Sequence, residues 1–247
     1  MPELPEVHTI LQDLKQAGLV GREIQRVKVY WPRTIGHPSS TDFCHLLCGK
    51  RIVDLDRRGK YLIFSLSGGF FICIHLRMTG RLLLVEQNTP ETPYVRLRLD
   101  LDHGKSLYYH DTRKFGRWHL VQDPQIVVGK IGPEPLSKDF TFEIFWNKIK
   151  QRHRALKPLL LDQSFLAGLG NIYVDEALWE AYLHPLQFAD ALTLQQAKKL
   201  YTGIIYVLER GIESQGTTLG RGRTNYYRLD GTQGQHQRLL NVFRRTG

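Results

Sequence analysis

The sequence predicts an α+β protein, an N-terminal β-sandwich with flanking helices followed by a C-terminal helical domain. Residues 23–121 carry short alternating apolar segments split by turns such as Ser67-Gly68-Gly69 and Asp102-His103-Gly104. That is the pattern of many short strands burying one face. Gly132-Pro133-Glu134-Pro135 interrupts it, because such a run sustains neither strand nor helix. Beyond it the apolar spacing becomes helical. The expected division is residues 1–131, a linker at 132–138, and 139–247.

Val7, Ile10, Leu11 and Leu14 fall on one face of a leading helix that Gly18 or Gly21 would stop. Pro2 and Glu3 are expected to project from its leading end. Strands follow at 23–30 (Ile24, Val27 and Val29 inward), 51–66, 70–75, 81–85, 94–101 and 106–110. Cys44 and Cys48, flanking His45, suit a short partly apolar helix better than a metal site, for which no fourth ligand is near. Cys73 lies in an apolar run and reads as core. Helices are expected at 140–151, 155–161, 172–182 and 193–214, the last opened by a capping box of Thr193 and Gln196 and closed by Gly216. The polar, Gly/Arg-rich tail from Thr217 is expected to add two short strands.

The 247 residues include 34 basic and 24 acidic side chains, a net charge of +10. That excess suits a polyanion, nucleic acid first and an anionic membrane surface second. No apolar run reaches the roughly 18 residues of a membrane span, and no secretory signal opens the chain. The expectation is a cytosolic protein with no membrane partner. Three cysteines are too few for a disulfide framework.

Removing Met1 would make Pro2 a free secondary amine, titrating near about pH 8 and partly neutral at physiological pH. Such an amine can attack a sugar carbon and form a Schiff base, with Glu3 beside it for proton transfer. The same stretch also opens a helix in the ordinary way, with Pro in the first turn and acids at the positive end. Gly168-Leu169-Gly170-Asn171 before a helix presents backbone N–H groups and reads as a phosphate site. No parallel βαβ context surrounds it, which argues against a nucleotide-binding loop.

Pro2-Glu3-Leu4-Pro5-Glu6-Val7 resembles the N-terminus of the formamidopyrimidine-DNA glycosylase / endonuclease VIII family, and Leu4 sides with the formamidopyrimidine branch. Gln163 to Glu176, with Gly170-Asn171-Ile172-Tyr173 at its centre, resembles that family's helix–two-turn–helix. The resemblance runs in order along the whole chain. It implies Pro2 as nucleophile, Glu3 as proton manager, and Lys60, in Arg57-Arg58-Gly59-Lys60-Tyr61, as a cation assisting elimination. It implies DNA contacts from His75, Arg113, Arg152, Lys157 and Asn171. Met78 and Phe115, with Arg113 facing the orphaned base, would fill the space left by the flipped nucleotide. Glu6, Thr217 and Thr218 would meet the flipped base, under a Gly-rich loop at 216–227.

The implied function is excision of oxidised purines (8-oxoguanine, formamidopyrimidines) from double-stranded DNA, followed by strand cleavage at the abasic site, by a monomer in the bacterial cytosol or nucleoid. An endonuclease VIII-type enzyme for oxidised pyrimidines is the alternative. A non-catalytic damage binder is another if Met1 is retained, since Met1 makes the Pro2 nitrogen an amide. The chain departs from the family in three places. It carries no Cys-x₂-Cys pairs for a terminal zinc finger, so no metal or cofactor is expected here, and one structural zinc only if a finger follows Gly247. Thr92-Pro93-Tyr94 replaces a His-x-His. Met1 is present.

Overall fold

The computed structural model describes residues 1–220, 222 and 225–245. The leading helix α1 (Leu4–Gln16) is followed by strands β1 (Ile24–Val29) and β2 (Ile35–His37) and by helix α2 (Ser40–Leu47). Seven strands come next: β3 (Ile52–Arg58), β4 (Tyr61–Leu66), β5 (Phe70–His75), β6 (Gly80–Glu86), β7 (Val95–Leu101), β8 (Lys105–Asp111) and β9 (Arg117–Val121). They form two sheets, β1-β7-β8-β6 and β2-β9-β5-β4-β3, antiparallel except where β2 meets β9. The sheets bury Leu97, Leu99, Leu107, Phe64, Ile72 and Trp118 in one core. Tyr109 sets its ring edge-on to Trp118 there, 5.4 Å between centroids.

The predicted single strand at 51–66 is two strands, because Gly59 at φ +55° turns the chain beside Lys60. β2 and β9 were not foreseen as separate strands. Val27 and Val29 are only half-buried, since β1 lies at a sheet edge.

Helices α3 (Gln125–Val128), α4 (Phe142–Ile149), α5 (Leu156–Leu160), α6 (Asn171–Glu180) and α7 (Leu194–Glu213) follow. Thr193 and Gln196 form the expected capping box on α7. Turns between α5 and α6 are held by Phe165 N–H donating to Asp162 O (2.9 Å) and Gly168 N–H donating to Gln163 Oε1 (3.0 Å). A second core of Phe145, Leu160, Tyr173, Leu200 and Leu208 fills the helical part.

The two parts trade their ends. Leu4, at the start of α1, is fully buried in the helical core, while Tyr226 from the tail packs into the sandwich core. The tail forms no strands among the described residues. Several of its backbone N–H groups are satisfied by carboxylates instead of a ladder. Buried Glu176 accepts from the N–H groups of Asn241, Val242 and Phe243 at 2.7–2.9 Å. Asp13 of α1 accepts from Arg228 Nη2 (2.7 Å) and Leu229 N–H (3.2 Å). Arg221, Arg223 and Thr224, in the loop expected to cover a flipped base, lie outside the described residues.

Leu4 thus fixes the leading end of α1 on the helical core, aided by its N–H donating to Gly168 O at 3.0 Å. Leu4→Ala is expected to lower unfolding free energy by about 2–5 kcal/mol, read from chemical denaturation midpoints.

Candidate active site

The leading amides of α6 are occupied from within the chain. Glu3 is 2% exposed, and its carboxylate accepts from the N–H groups of Gly170 (2.7 Å), Ile172 (3.0 Å) and Tyr173 (3.3 Å). A helix N-terminus favours an anion whatever its source. Here that anion is Glu3, so the expectation of a free backbone phosphate site at these groups is corrected. Gly170 is required by this approach, because a Cβ there would run into the Glu3 carboxyl group. Pro2 and Glu3 do not project from α1, as both are buried.

Glu6, one turn on and 1% exposed, is as fully engaged. It accepts from Glu3 N–H (2.8 Å), Tyr173 Oη–H (2.9 Å) and Thr217 N–H (2.7 Å). Tyr173 Oη also lies 3.2 Å from Thr217 Oγ1. Thr218 donates its hydroxyl to Tyr226 O (2.8 Å) and accepts from Gly234 N–H (3.0 Å). Glu6, Thr217 and Thr218 are therefore brought together, with both threonines buried and hydrogen-bonded inside the protein. Sequence reasoning gave Tyr173 no role. Its place in Asn171-Ile172-Tyr173 offered a signal only in the spacing that turns it inward from α6.

Lys60 is 5% exposed, not solvated as a lone Lys opening a strand normally is. Its turn is clamped to the linker. Glu134 pairs with Arg57 (2.8 Å) and Arg58 (2.8 Å) and accepts the Gly59 N–H. Arg58 also donates to the carbonyls of Ile131 (2.9 Å) and Gly132 (2.6 Å). Burial would raise the Glu134 pKa, but Arg57, the Gly59 amide and Arg58 outweigh it and hold the carboxyl below its ordinary value. Nothing in Gly-Pro-Glu-Pro signalled this role.

Burial drives both Glu3 and Lys60 toward neutrality while each supports the other's charge. It pushes Glu3 up to about 7, against Lys60 and the amides of Ile172 and Tyr173, with Glu6 adding to the rise. It lowers Lys60, against Glu3 and Glu6. The Met1 amine lies in the same field: burial lowers its pKa, and Glu3 and Glu6 oppose this. The centre therefore holds a chain-start amine, two acids and a lysine, with Glu3 poised near neutral pH for either direction of proton transfer.

His75, at the end of β5, is 8% exposed and stands edge-on to Tyr61, 4.7 Å between centroids. Its Nδ1 accepts from Arg77 N–H at 3.0 Å. Burial, then Arg77 and Lys60, push its pKa down to about 3, so any contact it makes is as a neutral ring. Met78, Arg113 and Phe115 converge at the surface. Arg113 Nη1 is 3.0 Å from Met78 Sδ, and its guanidinium sits 4.7 Å from the Phe115 ring centroid. Met78 is 42% exposed and Phe115 48%, an apolar exposure that a soluble surface ordinarily avoids in a cluster. Asn171 is exposed at the start of α6 and Arg152 is exposed after α4. Lys157 is half-buried and paired with Asp175 at 2.7 Å.

Comparisons with known proteins agree with this geometry. Residues 1–118 match the family model of the formamidopyrimidine-DNA glycosylase N-terminal domain, and residues 131–221 that of the formamidopyrimidine-DNA glycosylase H2TH domain. A formamidopyrimidine-DNA glycosylase of Protochlamydia amoebophila is 58% identical over the whole chain, which covers 90% of that relative. One from Enterococcus faecalis is 43% identical, again over the whole chain and 88% of the relative. A Lactococcus lactis Fpg solved with abasic-site DNA superposes with a TM-score of 0.88 at 35% identity, over 98% of this chain and 87% of that one. An inhibited LlFpg bound to DNA containing N7-benzyl-Fapy-dG superposes with a TM-score of 0.91 at 36% identity, over 100% and 89%. On these matches the chain belongs to the formamidopyrimidine-DNA glycosylase family.

Proposed function

We propose that the protein is a bifunctional DNA glycosylase and abasic-site lyase that removes oxidised purines, 8-oxoguanine and formamidopyrimidines, from double-stranded DNA in the bacterial cytosol or nucleoid. The observation that carries this reading is the burial of Pro2 and Glu3 together with Glu6 and Lys60. After Met1 is removed, the Pro2 nitrogen attacks C1′ of the flipped nucleotide and the base departs. Ring opening gives a Schiff base at C1′, and Glu3 handles the ring-oxygen proton. Loss of a C2′ proton then expels the 3′ phosphate oxygen, with the Lys60 cation countering charge on the lesion. Relatives solved on abasic and formamidopyrimidine DNA support this substrate class. No helix among the described residues is long and apolar enough to cross a membrane.

Among the described residues no group of three or more His, Cys, Asp or Glu could hold a metal, and Cys48 donates its thiol hydrogen to Gln25 O. A second reading, damage binding without catalysis, applies if Met1 is retained, because the Pro2 nitrogen is then an amide.

Borohydride trapping on duplexes carrying 8-oxoguanine separates these readings. Met-processed protein is expected to cross-link, and Pro2→Gly to cross-link poorly. Equal trapping by protein whose intact mass includes Met1 would remove Pro2 as nucleophile.

Glu134→Gln should slow trapping about tenfold or more through misplacement of Lys60. It should also change the pH dependence of stability. The Glu134 pKa is depressed in the folded protein, so its stabilisation is complete above the ordinary value of 4.5 and is lost as pH falls through the folded value. Denaturation at pH 7 and pH 3.5 is expected to show a larger acid loss for wild type than for the variant.

Binding to undamaged duplex should weaken steeply with salt, by a slope of roughly 0.9 per phosphate neutralised on a log–log plot. Arg152→Gln is expected to reduce that slope by about one. An unchanged slope would place Arg152 away from the DNA.

A further inference from the structure

The exposed trio of Met78, Arg113 and Phe115 comes from two separate loops, β5–β6 and β8–β9. Both loops contain a non-glycine residue in the left-handed region, Arg77 at φ +55° and Lys114 at φ +60°. L-residues adopt that region rarely, so each loop needs something to hold it. The side chains of the trio touch one another, but their backbones are fixed from below.

That fixing comes from Asp111, the last residue of β8 and 1% exposed. Its Oδ1 accepts from the Thr79 hydroxyl, next to Met78, and from Arg113 N–H at 3.2 Å. Thr79 Oγ1 accepts from the same Arg113 N–H at 3.1 Å. Asp111 Oδ2 accepts from Gly116 N–H, next to Phe115, at 2.8 Å and from Tyr109 Oη–H at 3.2 Å. The Tyr109 hydroxyl reaches this point because Gly80 and Gly116 leave it room, since a Cβ at either position would overlap it. One acceptor-only carboxylate thus gathers four donors from both loops and the strand between them. A neutral amide in its place would bring an NH₂ against donors it cannot satisfy.

We propose that Asp111 is a positioning residue that joins the two loops into one rigid wedge, and thereby sets how well Arg113 discriminates the base opposite the lesion. The inference rests on the reading of Met78, Arg113 and Phe115 as the residues that enter the DNA. A guanidinium fork distinguishes bases only when its donors are held in place, and a good fork is worth on the order of fivefold to a hundredfold against the wrong base. Asp111 touches no DNA in this scheme and acts through the placement of Arg113 N–H, Thr79 and Gly116.

The test compares affinity for duplexes carrying a stable abasic-site analogue opposite each of the four bases, with thermal unfolding measured in parallel. Wild type is expected to prefer one opposite base, and Arg113→Gln to lose that preference. Asp111→Asn should lose at least about half of it on a logarithmic scale. Thr79→Val, which deletes one hydrogen bond while keeping the shape, should lose a smaller part. Discrimination lost with Arg113→Gln but kept with Asp111→Asn and Thr79→Val would overturn the positioning role and leave the wedge reading standing. Discrimination unchanged in Arg113→Gln and Met78→Ala would remove the wedge reading itself. Should Asp111→Asn fail to fold, Thr79→Val decides, and full discrimination there would overturn the inference. A lowered unfolding temperature with intact discrimination would mark Asp111 as scaffold alone.

Discussion

Three backbone N–H groups at the start of α6 hold the carboxylate of Glu3, and this contact spans 167 residues of sequence to Gly170. It brings the first turn of α1 to the leading end of α6. Tyr173, whose own N–H is one of the three, then reaches Glu6 with its hydroxyl, and Glu6 in turn receives the Thr217 amide from beyond α7. The chain start, the middle of the helical part and the entry to the tail are thereby joined through two carboxylates. Without the positive end of α6, Glu3 would have only the attraction of Lys60 to set against its burial, and would be pushed further toward the neutral form.

The electrostatics follow from that geometry. Removing charges from water penalises Glu3 and Lys60 alike, and their mutual attraction offsets part of the penalty. Neither group is free to move to a more solvated place. Glu3 is held by amides, and the turn carrying Lys60 is held by Glu134 from the linker. The linker therefore helps to build the candidate site as well as connecting the two parts. A shift of the helical part relative to the sandwich would be felt at Lys60 through Arg57 and Arg58.

Much of this was legible in the sequence. Periodicity located α1, α4 and α7 to within a few residues, because each buries one continuous apolar face. The strands showed themselves through alternation and Gly turns. β2 and β9 escaped for physical reasons: β2 is three residues long, and β9 mixes Arg117, Trp118 and His119 without a clean alternation. Gly170-Asn171 was correctly read as a donor-rich helix start. Local sequence cannot say who takes those donors, and the answer lay at residue 3. The same limit hid Glu134, since a single acid between two prolines looks like a solvated linker residue. Lys60 and the trio of Met78, Arg113 and Phe115 were singled out only through the family resemblance. Residue type alone made the first a surface lysine and Met78 core filler.

The burial of Pro2, Glu3 and Leu4 has a consequence for how such a protein can be assembled from others. Most catalytic domains can be placed anywhere in a longer polypeptide, because their reactive groups are side chains. Here Pro2, Glu3 and Leu4 are buried, with Leu4 in the helical core, while Met1 ahead of them is exposed. On the proposed chemistry, any module fused ahead of Pro2 would turn its nitrogen into an amide and remove the nucleophile. With Pro2 in that role, gene fusion, affinity tagging and domain shuffling are confined to the other end of the polypeptide. On that reading, the processing that exposes Pro2 becomes a determinant of chemistry as well as of expression.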